Sequence, residues 1–292
     1  PKIQQYLLIL SSLNLNDLYK EEKISGIARK FDQFHSVVRL LDVYESTTFQ
    51  RIIYPMIKKI RGKSLSEVEN IFEQVLIKNL EDAEILRKGE IKSVKELFTY
   101  ERFQGVKNRW TNFSKYVLMR IDRYLSQLLD KPSYAGGGLQ ELEEHFNKTG
   151  RRRYGMHLEH IYAYNESNMA LFTREEQGFD EQLFTMLRNR LGMVLLLKDR
   201  QNISSNNEVY AAKIETYKKS NFIWNELLAG HLHGVDERAL PEDLQSESVK
   251  PDDTGAFPRN KVDERQRLLF NAIRHIWCES LTSPIRKTTV ST

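Results

Sequence analysis

The chain has 292 residues, 40% of them hydrophobic and 29% charged, enough for one large or two ordinary domains with a buried core. Its 44 basic and 40 acidic residues leave a net charge of +4, which permits nucleic-acid binding without arguing for it. The single cysteine, Cys278, excludes an internal disulfide framework and a four-cysteine zinc site. No apolar run approaches the roughly eighteen residues of a membrane span, so a cytoplasmic protein without a membrane partner is expected.

The chain opens at Pro1, already inside what reads as helix, as expected of the downstream piece of a longer protein. The first 130 residues read as helix after helix. Ile27, Phe31, Phe34, Val38 and Leu41 share one helical face, and Phe49, Ile53, Met56 and Ile60 share another. Ser64 with Glu67 forms a capping box for a helix that turns Leu65, Val68, Phe72 and Val75 inward. Trp110, Phe113, Val117, Ile121, Tyr124 and Leu128 make a long stripe. Aromatic residues at helical spacing are read as core, not as base-stacking groups.

Composition shifts near Asp130, where Lys131-Pro132-Ser133 and Gly136-Gly137-Gly138 are loop material. Domains of 1–130 and 131–292 are therefore expected. A short acidic helix over Leu139–Phe146 precedes the basic run Arg151-Arg152-Arg153, which could contact a DNA backbone. Met156 to Tyr162 reads as a strand, Phe179 to Arg190 as a short helix and Leu191 to Leu197 as a buried strand. Asn206 to Ser220 reads as a helix on which Val209, Ala212 and Tyr217 are spread among polar residues. A long polar loop over 234–261, partly disordered, and a closing helix over 262–281 complete the chain. The expected fold is α+β and predominantly helical: an N-terminal helical domain, then a strand–strand–helix unit.

Phosphodiester hydrolysis needs an activated water, an answer to the phosphate charge and help for the leaving oxygen. A ββα-metal site supplies these with a histidine at the end of the first strand as general base. One divalent cation is held by a carboxylate beside that histidine and an amide near the helix. Glu159-His160 ends the first strand, and Asn202 lies just after the second. Strand alternation would send Glu159 and His160 to opposite faces, so one shared site requires the strand to bend there. His157 shares the parity of Glu159 and could contact phosphate or orient the carboxylate. His35, His145 and His275 sit in helical surroundings and read as structural; His231 and His233 lack an evident third metal ligand. Cys278 reads as a buried thiol.

The runs His157-Leu158-Glu159-His160-Ile161 and Asn189-Arg190-Leu191-Gly192-Met193-Val194-Leu195-Leu196, followed by Asn202-Ile203-Ser204-Ser205-Asn206 and Lys213, resemble a nuclease family. They are similar to the C-terminal HNH domain of GmrSD-type, modification-dependent (type IV) restriction endonucleases and related phage-defence proteins. That pattern runs E-H-I-x-P, then N-x-x-G-N-L-x-L-L, then N-x-x-x-S-N with a downstream Lys. The resemblance implies an HNH-type ββα-metal nuclease core with His160 as base, a single Mg²⁺ or Mn²⁺ near Glu159 and Asn202, and Asn189, Asn206 and Lys213 in support. Lys213, like the arginine run, would contact DNA. The implied substrate is double-stranded DNA, possibly modified, and the implied missing partner is an N-terminal ParB-like nucleotidase domain.

Ala163 replaces the family's usual proline, and Met193 replaces the Asn of G-N-L that is expected to orient the histidine. The resulting expectation is a metal-dependent DNA endonuclease module of a prokaryotic defence protein. The alternative, which Met193 supports, is a catalytically silent nucleic-acid-binding or partner-docking module on the same frame.

Overall fold

The computed structural model describes residues 2–14, 16–108, 111–132, 156–198, 207–232, 237–246 and 248–279. Trp110, the glycine run, the acidic helix with His145, Arg151 to Arg153, Asn202, Asn206 and His233 lie outside the described residues. The structure is α+β and predominantly helical. It divides into two compact units, one holding the described residues up to 103 with those from 277, the other those of 104–276. No described helix is long and apolar enough to cross a membrane.

The first unit contains α1 (Lys2–Ser12), α2 (Lys20–Leu40), α3 (Ser46–Lys59), α4 (Leu65–Asp82) and the short α5 (Val94–Leu97) and α6 (Tyr100–Phe103). Ile27, Phe31, Phe34 and Val38 of α2 are buried, as are Phe49, Ile53 and Met56 of α3. Phe34 meets Phe49 edge-on at 5.8 Å and Phe72 at 6.5 Å, so these aromatics are core. The capping box opens α4: Ser64 Oγ accepts from the Glu67 backbone N–H, and Glu67 Oε2 accepts from the Ser64 N–H at 2.9 Å. The face that α4 buries is Val68, Phe72, Leu76 and Leu80, with Leu65 and Val75 only half-buried at its margin.

In the second unit, α7 (Thr111–Leu128) packs on the two strands β1 (Met156–His160) and β4 (Val194–Lys198). The boundary expected at 130 therefore moves to 103/104, because the buried face of α7, including Val117, Leu118 and Ile121, covers strands of its own unit. Between these strands come α8 (Glu166–Ala170), the small hairpin β2 (Thr173–Arg174) and β3 (Gly178–Phe179), and α9 (Glu181–Arg188). Asp180 caps α9 by accepting from the Leu183 N–H at 2.9 Å. The strand expected from Leu191 begins at Val194, because Leu191–Met193 wind as a 3₁₀ turn. Strands β1 and β4 pair antiparallel, with Glu159 opposite Leu195 and His160 opposite Val194.

Helix α10 (Tyr210–Lys218) follows β4, giving the strand–strand–helix order, and α11 (Ile223–Ala229) packs on α10. The buried side of α10 is Tyr210, Lys213 and Tyr217, whereas Ala212 is exposed. The closing helix is α12 (Val262–Arg274), ending in a π-type turn over His275–Glu279. The described part of 234–261 departs from the expected surface loop. Leu240, Leu244, Ala256 and Phe257 are buried, Phe257 accepts from the Tyr162 hydroxyl at 3.0 Å, and Val249 accepts from that of Tyr210 at 2.8 Å. Scattered apolar residues without helix or strand periodicity concealed this packing.

Candidate active site

The site is built on the end of β1 and the turn that leads into β4. Residues 106–108 run antiparallel beside that turn: Leu191 N–H donates to Val106 O at 3.0 Å, and Asn108 N–H to Asn189 O at 2.7 Å. Gln266 of α12 locks both strips, its Oε1 accepting from the Gly192 N–H at 2.9 Å and its Nε2 donating to Val106 O at 3.2 Å. Gly192 is required by this approach. A Cβ there would lie 2.9 Å from Gln266 Cα and 3.0 Å from the Arg265 carbonyl, which are backbone atoms with little room to yield.

His160 projects into this rigid corner. Its Nε2 lies 3.5 Å from Nδ2 of Asn108, and the side chain of Asn189 lies near enough to the ring to favour its protonated form. Burial, then the nearby charge of Arg188, pushes the imidazole down to about 4, with Asn189 opposing the shift. The ring is therefore neutral near pH 7 and able to take a proton. An amide nitrogen only donates, so the Asn108 contact suits an unprotonated Nε2. Asn108 Oδ1 is buried without a partner, and rotation of the amide would offer it to an Nε2–H instead.

The ladder stays in register through His160, and Glu159 and His160 have separate side-chain partners. The buried carboxylate meets the Lys213 ammonium, which donates to its Oε1 and to the His160 carbonyl at 3.0 Å. Burial raises the carboxyl above its ordinary value, with Lys213 opposing; burial likewise lowers the Lys213 ammonium. The Lys213 ammonium is thus buried between α10 and β1, a position that does not suit the DNA contact expected of it.

Among the described residues, no group of three or more His, Cys, Asp or Glu side chains is arranged around a metal-sized gap. A Mg²⁺ ion nevertheless keeps most of its waters and needs only one or two carboxylates beside substrate phosphate. Glu159 meets that requirement on one side: Lys213 takes Oε1, and no hydrogen bond among the described residues claims Oε2.

Met193 is fully buried, and its backbone carbonyl accepts from the Ile161 N–H at 3.0 Å. The position at which the family's Asn was expected is thus in the core, whereas the side chain of Asn189 acts on the His160 ring.

The family model for the C-terminal domain of GmrSD restriction endonucleases matches residues 92–272, more than half of the chain. The chain belongs to this family. No curated protein and no solved structure matches it. The GmrSD C-terminal segment takes in β1, the Asn189–Met193 turn, β4 and α10, together with Asn108 and Arg188, which the motif reading did not single out. Asn108 lies 52 residues from His160 in an unpatterned stretch, and only the folded chain brings them together. Arg188 stood directly before the Asn-Arg-Leu-Gly run and could have been read as a basic neighbour of the site.

His275 lies 2.9 Å from Asp243 and stacks on Tyr124, His35 packs among Phe31, Tyr44 and Phe49, and His231 is exposed. Cys278 is half-buried, less enclosed than expected.

Proposed function

We propose that this domain is a metal-dependent endonuclease that nicks or cuts duplex DNA, as the nuclease module of a prokaryotic restriction or anti-phage protein. The observation that carries the reading is the position of His160 at the end of β1, buried 3.5 Å from the Asn108 amide with Asn189 close by, in a chain of a restriction-endonuclease family. A single Mg²⁺ or Mn²⁺, held by Glu159 and Asn202, would supply positive charge against the phosphate and the leaving oxygen.

The chain's own contribution is a proton acceptor in fixed orientation. His160 takes the proton of the attacking water, and Asn189 and Asn108 keep the ring aimed. Turning over, the Asn108 amide would place Oδ1 against the protonated Nε2. His157, on the Glu159 side of β1, would orient the carboxylate. Arg151 to Arg153 would follow the DNA backbone, making binding salt-sensitive and weakly sequence-specific. Target choice would fall to an upstream nucleotidase domain or to a modified base, and Asn206 would support the metal loop.

Plasmid nicking with Mn²⁺ and with a chelator tests this reading. Wild-type protein should nick only with the cation, and His160→Ala should abolish nicking while melting normally. Full cleavage by the alanine variant would remove His160 as the base. The silent-module alternative gains support from Lys213, which holds the one carboxylate at the strand end. Wild-type protein that binds DNA and never nicks it with Mg²⁺ or Mn²⁺ would select that alternative.

A further inference from the structure

We propose that Arg188 binds the substrate phosphate beside His160, donating N–H groups to its non-bridging oxygens. This inference rests on the nuclease reading and adds the residue that receives the phosphate.

Arg188 ends α9, and its guanidinium is held only by neutral groups. Its Nε donates to the Tyr162 carbonyl at 2.9 Å, its Nη1 lies 3.4 Å from Asn189 Oδ1, and its carbon sits 4.8 Å from the Tyr164 ring centroid. No carboxylate among the described residues forms an ion pair with it. Its neighbours in the corner differ: Arg190 is paired with Asp263 at 3.1 Å, and Lys213 with Glu159. The Glu159 carboxylate is bonded to Lys213 and acts on Arg188 only at longer range, so Arg188 has no ion-pair partner among the described residues.

The location of that charge points to its use. The Asn189 amide that Arg188 approaches also acts on the His160 ring, and the charge of Arg188 is itself felt there. Arg188 is half-buried, and Nη2 makes no hydrogen bond among the described residues yet is not sealed from solvent. A guanidinium stays protonated even when partly desolvated, and its planar N–H groups match phosphate oxygens. Fixing it through a carbonyl, an amide and an aromatic face leaves little reorganisation for the moment of reaction, when charge grows on the phosphate. Arg188 forms no covalent bond in this role.

The test separates binding from cleavage. Binding of a fluorescent duplex of about twenty base pairs to the full chain is measured across salt concentrations in chelator, so that nothing is cut. The variants are Arg188→Gln, which keeps a donor for Tyr162 without the charge, Arg188→Lys, which keeps the charge, and Arg190→Ala as a control. Arg188→Gln should weaken binding several-fold and lower the salt slope by about one, the loss of one phosphate contact. Arg188→Lys should recover most of the slope, and Arg190→Ala should change it less. Unchanged affinity and slope in a normally melting Arg188→Gln would overturn the proposal, as would a wild-type chain that binds no DNA. Failure of the nuclease reading looks different: wild-type protein binds, with the Arg188 slope intact, and never cuts with Mn²⁺.

Discussion

One buried ammonium, that of Lys213, joins the two residues at the end of β1: it donates to the side chain of Glu159 and to the backbone carbonyl of His160. Helix α10 is thereby tied to the strand end by a charge as well as by the packing of Tyr210 and Tyr217. Glu159 and Lys213 are each driven toward neutrality by burial, and each is held charged by the other. Such a pair adds little net stability when intact, but either partner alone is expensive to bury.

Replacing Lys213 with Met keeps the length of the side chain and removes its charge. The carboxylate of Glu159 is then left without a counter-ion, at a cost of about 3–5 kcal/mol. Adding Glu159→Gln should recover a large part of that loss, because the orphaned charge disappears with it. Denaturant unfolding of the two single variants and the double variant measures the coupling. Additive effects would show that the ion pair does not hold α10 to β1.

The histidines set an acid limb for stability. Burial, followed by the charge of Arg39 for His35 and of Arg188 for His160, lowers each to about 4 from an ordinary 6.5. Between those values the unfolded chain binds more protons than the folded one, so stability is full above pH 6.5 and is lost as pH falls toward 4. Each histidine contributes a slope of up to about 1.4 kcal/mol per pH unit in that window. Unfolding of His35→Gln and His160→Gln across pH 4 to 7 should each show a shallower acid limb than wild type. A limb of unchanged steepness in either variant would mean that its histidine titrates alike in both states.

The sequence pattern revealed the parts of this architecture that have a period or a local rule. The four-three spacing of Ile27, Phe31, Phe34 and Val38 marked a buried helical face, and Ser64 with Glu67 marked a helix start. The strand–excursion–strand–helix order was legible because Met156–His160 and Val194–Lys198 are short apolar or alternating runs. The corner around His160 was less legible. Asn108, Asn189 and Gln266 meet through pairing of strips far apart in sequence, which leaves no periodic trace. The burial of Lys213 left no local trace either, because it depends on a carboxylate elsewhere in the chain, here Glu159. Position 193 is a related case: the 3₁₀ turn places Met193 in the core, while Asn189, at the C-terminal cap of α9, lies near the histidine.

Met193→Asn should destabilise the domain and leave the rate of DNA nicking no higher than in wild type. The side chain is fully buried, and the backbone at 193 is already satisfied, its N–H donating to Arg190 O at 2.9 Å and its carbonyl accepting from Ile161 at 3.0 Å. An amide introduced there has two donors and an acceptor to satisfy among Leu191, Val194 and their apolar neighbours. Leaving such groups unmet costs about 1–3 kcal/mol, before the lost apolar contact is counted. No catalytic return is expected to offset that cost, since the amides of Asn189 and Asn108 already lie near the ring of His160. The informative comparison is Asn189→Ala. General-base contributions run from about a hundredfold to ten-thousandfold, and freeing the ring should forfeit part of that, lowering the Mn²⁺-dependent nicking rate roughly tenfold or more. Melting temperature and nicking rate, read on the same preparations, give opposite signatures for the two variants: Met193→Asn loses stability, and Asn189→Ala loses rate. A Met193→Asn protein that melts as wild type and cuts faster would place the orienting amide at 193 and make the Asn189 contact incidental.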